Sequence, residues 1–240
     1  MKRILILLPA LLLAAAAARA QSFSELAGFA GDAPAPVPEA GIEILEDPSS
    51  PTAEFDFLVR DEAEQEPGAE LFNPFRTAEK TAGAAPRIPY LDLARAEAQA
   101  QGVDLALVLA VIQKESSFNP KAHSSYDARG LMQLLPSTAK WLGLKDTSQL
   151  YTPAVNIKYG VKYLKYLWGE FGEGSLAPLT AQTISLKTSQ MALAAYNAGP
   201  GNVRKYNDVP PFKETRSYVK KVTQYFSNYK ELLSDLPAAQ

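Results

Sequence analysis

The run Asp104-Leu105-Ala106-Leu107-Val108-Leu109-Ala110-Val111-Ile112-Gln113-Lys114-Glu115 decides the fold. As a helix it is apolar on nearly every face, and such a helix lies inside a domain rather than on its surface. It exits on a single carboxylate, Glu115, followed by the turn Ser116-Ser117-Phe118-Asn119-Pro120 and then by Ala128-Arg129-Gly130-Leu131-Met132-Gln133, which carries a polar amide. A carboxylate at the exit of a buried helix is costly unless it is used, because burial disfavours its charged form. A general acid would be placed there.

Working outward, helical signals dominate from Pro89 onward. A first helix runs from Tyr90 to Gln101 and stops at Gly102; the buried helix follows. Pro136 and Ser137 open a third that ends at Gly143. Pro153 sits at the first turn of a fourth, Ala154 to Phe171, with Ile157, Val161, Leu164 and Leu167 on one stripe. Ser189 to Tyr196, Asn202 to Tyr206 and Glu214 to Leu233 complete the set. Strand signals are nearly absent, so residues 87–240 are expected to form an all-α domain, and roughly 150 residues suffice for one buried core.

The N-terminal third is of another kind. Lys2 and Arg3, the apolar run Ile4 to Ala18 and the small-residue site Ala18-Arg19-Ala20 read as a cleaved signal peptide over residues 1–20. The apolar run is shorter than the ~20 residues of a spanning helix, so no stable membrane insertion is expected after cleavage; an uncleaved anchor is the alternative. The chain has no cysteine, hence neither a lipid attachment at that point nor a disulfide. Residues 21–86 carry 14 Asp or Glu against three basic residues, and residues 87–240 carry 18 Lys or Arg against 12 Asp or Glu. An acidic arm thus precedes a basic working domain. The arm includes the Pro/Ala-rich Ala33-Pro34-Ala35-Pro36-Val37-Pro38 and the acidic Asp61-Glu62-Ala63-Glu64-Gln65-Glu66. Such a composition cannot offset the entropy of folding, so a mostly disordered linker is expected. Ile42-Glu43-Ile44-Leu45 and Phe55-Asp56-Phe57-Leu58-Val59 read first as apolar spots in a disordered arm, with docking to an envelope protein or to the chain's own surface as the alternative.

The motifs themselves carry a resemblance. Glu115-Ser116-x-Phe118-Asn119-Pro120-x-Ala122-x-Ser124 is followed by Gly130-Leu131-Met132-Gln133-Leu134-x-Pro136-x-Thr138-Ala139. Then come Asn156-Ile157-x-x-Gly160-x-x-Tyr163-Leu164, Ala194-Ala195-Tyr196-Asn197-Ala198-Gly199-Pro200-Gly201-Asn202-Val203, and Glu214-Thr215-x-x-Tyr218-Val219. In this order they resemble the soluble-type lytic murein transglycosylases of the lysozyme-like superfamily, over about the C-terminal two thirds of the chain. The resemblance implies a lysozyme-like helical domain and an exported, periplasmic enzyme acting on peptidoglycan glycan strands without cofactor. It implies that Glu115 alone protonates the glycosidic oxygen of a MurNAc–GlcNAc β-1,4 bond. The same carboxylate then takes the proton of the sugar's C6 hydroxyl, leaving a 1,6-anhydro end. Ser124 stands where the family has a serine near the acetamido group. Met132, Gln133, Tyr196, Asn197 and Tyr218 are the remaining expected substrate-site residues: Met132 as an adaptable apolar surface, Gln133 through its amide, Tyr196 and Asn197 as cleft wall, Tyr218 as a hydroxyl that orients Glu115. Core packing is the competing account of both tyrosines. Ser116, Asn119 and Asn156 read as caps and loop ties. The segment Gly172 to Thr188 is longer than the family's connection; loops of that length tend to be functional or mobile, so a lid or subsite wall is set beside a plain surface insertion.

Other chemistries find little support. His123 is the only histidine, so neither a zinc cluster nor a serine triad with a Gly-x-Ser-x-Gly elbow is available. Gly199-Pro200-Gly201 lacks the Lys-Ser/Thr of a phosphate loop. The modest basic balance suits the free carboxylates of peptidoglycan stems, with no nucleic acid expected as partner, and surface lysines without a role explain it about as well. Two alternatives stand: a goose-type-like muramidase hydrolysing the same bond, with Asp127 as the nearest second carboxylate in sequence, and a wall-binding or secretion-assembly component with secondary catalysis.

Overall fold

The computed structural model describes residues 87–235, and the expectations for the signal segment, the acidic arm and its apolar spots lie outside the described residues. Eight α-helices are described: α1 Leu91–Gln101, α2 Leu105–Ser116, α3 Pro136–Trp141, α4 Pro153–Phe171, α5 Ala181–Ile184, α6 Lys187–Ala198, α7 Pro200–Tyr206 and α8 Lys213–Ser234. A 3-10 helix, Thr147–Tyr151, precedes α4. No strand occurs among the described residues, only two isolated bridges that pair Arg129 with His123 and with Leu134. The all-α expectation holds.

Helix α2 is the axis of the core. Every residue from Ala106 to Ile112 has no exposed surface, which is what an all-round apolar helix requires. Helix α8 lies antiparallel along it. Its Tyr218 meets Glu115 at one end, and its Lys230 ammonium lies 3.2 Å from Asp104 Oδ2 at the other. Tyr218, Val219, Val222, Phe226 and Tyr229 form the buried stripe of α8, recurring at the three- and four-residue spacing of one helix face. Helices α4 and α6 pack on each other, and α1 bridges α2 and α4.

The two ends of α2 are built differently. At its start Asp104 accepts from the backbone N–H of Ala106 at 3.0 Å, an N-cap that satisfies a donor the helix leaves free. The second oxygen of Asp104 accepts from the N–H of Leu179 at 3.0 Å, and the Asp104 N–H donates to the Leu176 carbonyl at 2.8 Å. The 172–188 segment is therefore folded down on this end: Leu176, Leu179 and Ile184 are buried, and α5 is closed by a capping box between Thr180 and Thr183. At ~1.5 Å of rise per residue this anchor stands about 16 Å along α2 from Glu115. The stretch around Leu176 and Leu179 is thus packed at the end of α2 far from Glu115.

At its other end α2 stops abruptly. Ser117 and Phe118 take positive φ in succession, 49° and 65°. Each such residue without glycine's freedom costs on the order of 1–3 kcal/mol. Phe118 is 5% exposed, and burying a phenyl ring contributes about 1.5–3 kcal/mol, enough to offset much of that strain.

Candidate active site

Glu115 stands in the last turn of α2, with the negative end of the helix dipole beside it. Its Oε1 accepts a hydrogen bond of 2.7 Å from the hydroxyl of Tyr218, itself 1% exposed. The residue keeps some exposed area, but its carboxyl is crowded by protein, and desolvation dominates. It raises the pKa from 4.5 to about 7, against the lowering effects of the Tyr218 hydrogen bond and the Lys114 ammonium, while the charge of Glu214 adds a smaller upward push. The Lys114 ammonium sits 5.5 Å from the centre of the Tyr218 ring.

The Gly130–Gln133 segment is fastened from three helices. Asn156 of α4, with no exposed surface, accepts from the Met132 N–H at 2.7 Å and donates to the carbonyls of Arg129 at 2.7 Å and Leu150 at 2.8 Å. Ser116 of α2 donates to the Leu131 carbonyl at 2.7 Å. Tyr196 of α6 donates to the Met132 carbonyl at 2.9 Å. Gly130 is required twice over: its φ is 75°, and a Cβ there would run into the Leu150 carbonyl and the Asn156 amide. Gly160 likewise leaves the space that the Met132 sulfur fills.

Each expected residue can now be placed. Ser124 closes its loop, its Oγ accepting from the Ala128 N–H at 3.0 Å, which leaves the hydroxyl proton to give. Met132 has no exposed surface. The expectation of an apolar ligand-facing side chain is corrected: the thioether is spent in the core against Gly160, and what Met132 contributes to the site is its backbone. Gln133 donates both amide protons inward, to the carbonyls of Ala122 at 3.1 Å and Gly130 at 3.0 Å, so its amide oxygen is the group left for a ligand. Tyr196 is 9% exposed, tilts against Tyr163 at 5.3 Å between ring centres, and serves as a strut behind the loop. Asn197 also turns inward, accepting from Thr215 Oγ1 at 2.9 Å and donating to Glu214 Oε1 at 3.3 Å.

Asp127, the nearest second carboxylate in sequence, is committed elsewhere. Arg129 clamps it with two bonds, 2.7 and 2.9 Å, His123 lies 3.0 Å from Oδ1, and the Arg129 hydrogen bond leads in holding its pKa below the usual carboxylate range. The carboxylate that bears on Glu115 is Glu214, which sequence reasoning left without a role. Its signal was present: it opens Glu214-Thr215-x-x-Tyr218, four residues before the tyrosine that holds Glu115.

Known proteins resemble this chain in sequence and in fold. The chain is 31% identical over 170 residues to the soluble lytic murein transglycosylase of Escherichia coli strain K12, covering 62% of this chain and 24% of that protein. It is 37% identical over 161 residues to the membrane-bound lytic murein transglycosylase C of Haemophilus influenzae strain PittGG, covering 63% of this chain and 42% of that one. The crystal structure of the 70 kDa soluble lytic transglycosylase of E. coli superposes with a TM-score of 0.51 at 31% identity, over 61% of this chain and 25% of that one. An inactive glutamate-to-glutamine mutant of the lytic transglycosylase Slt of Pseudomonas aeruginosa superposes equally, TM-score 0.51 at 31% identity, over 62% and 25% of the two chains. The chain thus spans about a quarter of the length of the E. coli relative. Residues 92–219 match the family model of the Transglycosylase SLT domain, more than half of the sequence, and the chain belongs to that family.

Proposed function

We propose that this protein is a peptidoglycan lytic transglycosylase that cleaves the MurNAc–GlcNAc β-1,4 bond without water, with Glu115 as acid and then base. The observation that carries the reading is the state of Glu115, a carboxyl held by Tyr218 and raised to about 7, so that a large share is protonated near neutrality. A general acid works best with its pKa near the working pH. Tyr218 engages Oε1, which leaves Oε2 as the oxygen suited to carry the acidic proton toward a substrate.

In the proposed reaction that proton passes to the glycosidic oxygen as the C1–O bond breaks. The Glu115 carboxylate so formed takes the proton of the C6 hydroxyl of the same muramyl residue. The C6 oxygen closes on C1, giving a 1,6-anhydro end and returning Glu115 to its protonated form. One bond to C1 is exchanged for another, and no second carboxylate is required, unlike the paired carboxylates of ordinary glycosidases. The Ser124 hydroxyl is suited to donate to the substrate acetamido carbonyl, and the Gln133 amide oxygen to accept from a sugar hydroxyl or N–H. Tyr218 orients Glu115, and Tyr196 and Asn197 act from behind the site. The inactive glutamine mutant of the P. aeruginosa relative supports the weight given to one glutamate.

The reading places the protein in the periplasm after export, with peptidoglycan strands as substrate and the acidic arm, residues 21–86, as the segment for an envelope partner. Mass spectrometry of digested peptidoglycan tests the chemistry. Anhydro-muramic ends, each one water lighter than a reducing end, are expected; reducing ends would mean hydrolysis, and loss of neither product in Glu115→Gln would remove Glu115 from the mechanism.

A further inference from the structure

Ser124 enters the proposed reaction through its hydroxyl, and the turn that carries it is held by side chains outside the reacting centre. The Ser124 N–H donates to the Ala128 carbonyl at 2.9 Å, and the Ser124 carbonyl accepts from the Asp127 N–H at 3.0 Å. Its Oγ accepts from the Ala128 N–H at 3.0 Å. Within this turn Asp127 takes a φ of 65°, a left-handed conformation that a residue other than glycine keeps only when its surroundings impose it. The imposition comes through the side chain. Arg129 Nε donates to Asp127 Oδ1 at 2.7 Å and Nη2 donates to Oδ2 at 2.9 Å, a two-pronged clamp, and His123 Nε2 lies 3.0 Å from Oδ1.

The clamp is anchored in the core. The Arg129 carbonyl accepts from the Asn156 amide at 2.7 Å and from the Leu134 N–H at 3.1 Å, and the Arg129 N–H donates to the Leu134 carbonyl at 3.0 Å. Asn156 has no exposed surface. From a backbone so fixed the guanidinium extends over the Tyr151 ring, 5.9 Å from its centre, and donates to the Thr147 carbonyl at 3.4 Å. His123 rests edge-on against the same ring, 6.3 Å between centres. The Asp127 side chain is half-exposed, so the pair adds little to overall stability as a surface ion pair. A planar fork on both carboxylate oxygens fixes direction as well as distance, and what it fixes here is the turn.

We propose that Asp127, gripped by Arg129, is a positioning residue for the substrate: it holds the 124–128 turn in the shape that engages Ser124 Oγ as an acceptor and leaves its proton for the acetamido carbonyl. This rests on the reading of Ser124 as a substrate contact. Both Asp127 oxygens are bonded to Arg129, and its effect on the sugar is carried by Ser124.

The test is a double-mutant cycle in the full chain, read as kcat/KM on peptidoglycan. Ser124→Ala should lower kcat/KM about tenfold, the worth of one hydrogen bond. Asp127→Ala should lower it nearly as far, and the double variant should be no worse than Ser124→Ala alone, since Asp127 then has nothing left to position. Asp127→Asn should recover most of the loss, because asparagine tolerates positive φ and keeps an oxygen for Arg129. Arg129→Met reaches the clamp from its other side, should match Asp127→Ala, and serves if that variant folds poorly. Amide hydrogen exchange at Ala128 should quicken about tenfold in Asp127→Ala while the amides of α2 and α8 keep their wild-type rates. Losses that multiply in the double variant overturn the proposal, as does unchanged exchange at Ala128. A loss in Asp127→Asn as complete as that in Glu115→Gln also overturns it, by making Asp127 a group of the reaction itself. Undiminished kcat/KM in Ser124→Ala would sink the reading of Ser124 and the proposal with it; the exchange rate, which needs no substrate, tells that failure from a failure of the clamp.

Discussion

Replacing Glu115 by glutamine should make the protein more stable above neutrality and leave it nearly unchanged in acid. A carboxyl raised from 4.5 to about 7 in the folded state holds its proton more tightly there than in the unfolded chain. Its contribution to stability is complete below pH 4.5 and is lost as pH rises through about 7, where the folded protein must expel a proton or carry an enclosed charge. At ~1.4 kcal/mol per pH unit between the two values, the loss amounts to about 3 kcal/mol. Glutamine is neutral at every pH and offers Tyr218 the same acceptor oxygen. Urea denaturation of both proteins between about pH 4 and pH 9 should therefore show the gap in unfolding free energy opening by ~3 kcal/mol in favour of the variant, a difference of roughly 6–12 °C in Tm for a domain of this size. A gap that stays constant across the range would mean that Glu115 is not held protonated by its surroundings, and the argument for it as an acid would lose its physical basis.

Three further perturbations probe the frame around this carboxyl. Tyr218→Phe removes a hydrogen bond that lowers the Glu115 pKa, so the alkaline limb of the rate profile should move to higher pH, while kcat falls about tenfold at its optimum as the carboxyl loses its orienting partner. Asn156→Ala leaves the Met132 N–H and the carbonyls of Arg129 and Leu150 without their partner; a drop of ~3 kcal/mol in urea melts is expected, with activity falling alongside. Asp104→Ala removes the α2 cap and the tie to Leu179 and Lys230. It should cost about 2 kcal/mol and expose residues 172–180 to limited proteolysis, with turnover unchanged below the melting range.

Sequence reading found the axis of the fold because α2 violates amphipathicity in a way only burial resolves. The long helices α1, α4 and α8 followed from spacing and from Gly and Pro punctuation. The turn Thr147–Tyr151 and α5 escaped it: each is a few residues stabilised by side-chain caps, Asp146 on the Ser148 N–H in one case and Thr180 with Thr183 in the other. Such short pieces have no periodicity to detect. At the site, a motif marks which residues matter but not whether they face a ligand or one another. Met132, Tyr196 and Asn197 are spent on neighbours that come from other helices, 28 positions away for Gly160 and Met132 and further for Tyr196 and Met132. Glu214 was passed over for the same reason. Its relation to Glu115 exists only once α8 is laid against α2.

The three-sided fastening of Gly130–Gln133 has a thermodynamic consequence. Ordering a backbone residue costs about 1–2 kcal/mol, so holding this four-residue strip in one shape represents on the order of 4–8 kcal/mol. Asn156, Ser116 and Tyr196 draw on the core to meet that cost when the chain folds. On the proposed function, a glycan arriving at the site would find the strip already in place, and its contacts would not be consumed in immobilising it. Affinity and folding stability are joined here. A core substitution that loosens α4 or α6 should weaken binding of sugars it never touches, and should do so as a loss of binding entropy rather than of contacts.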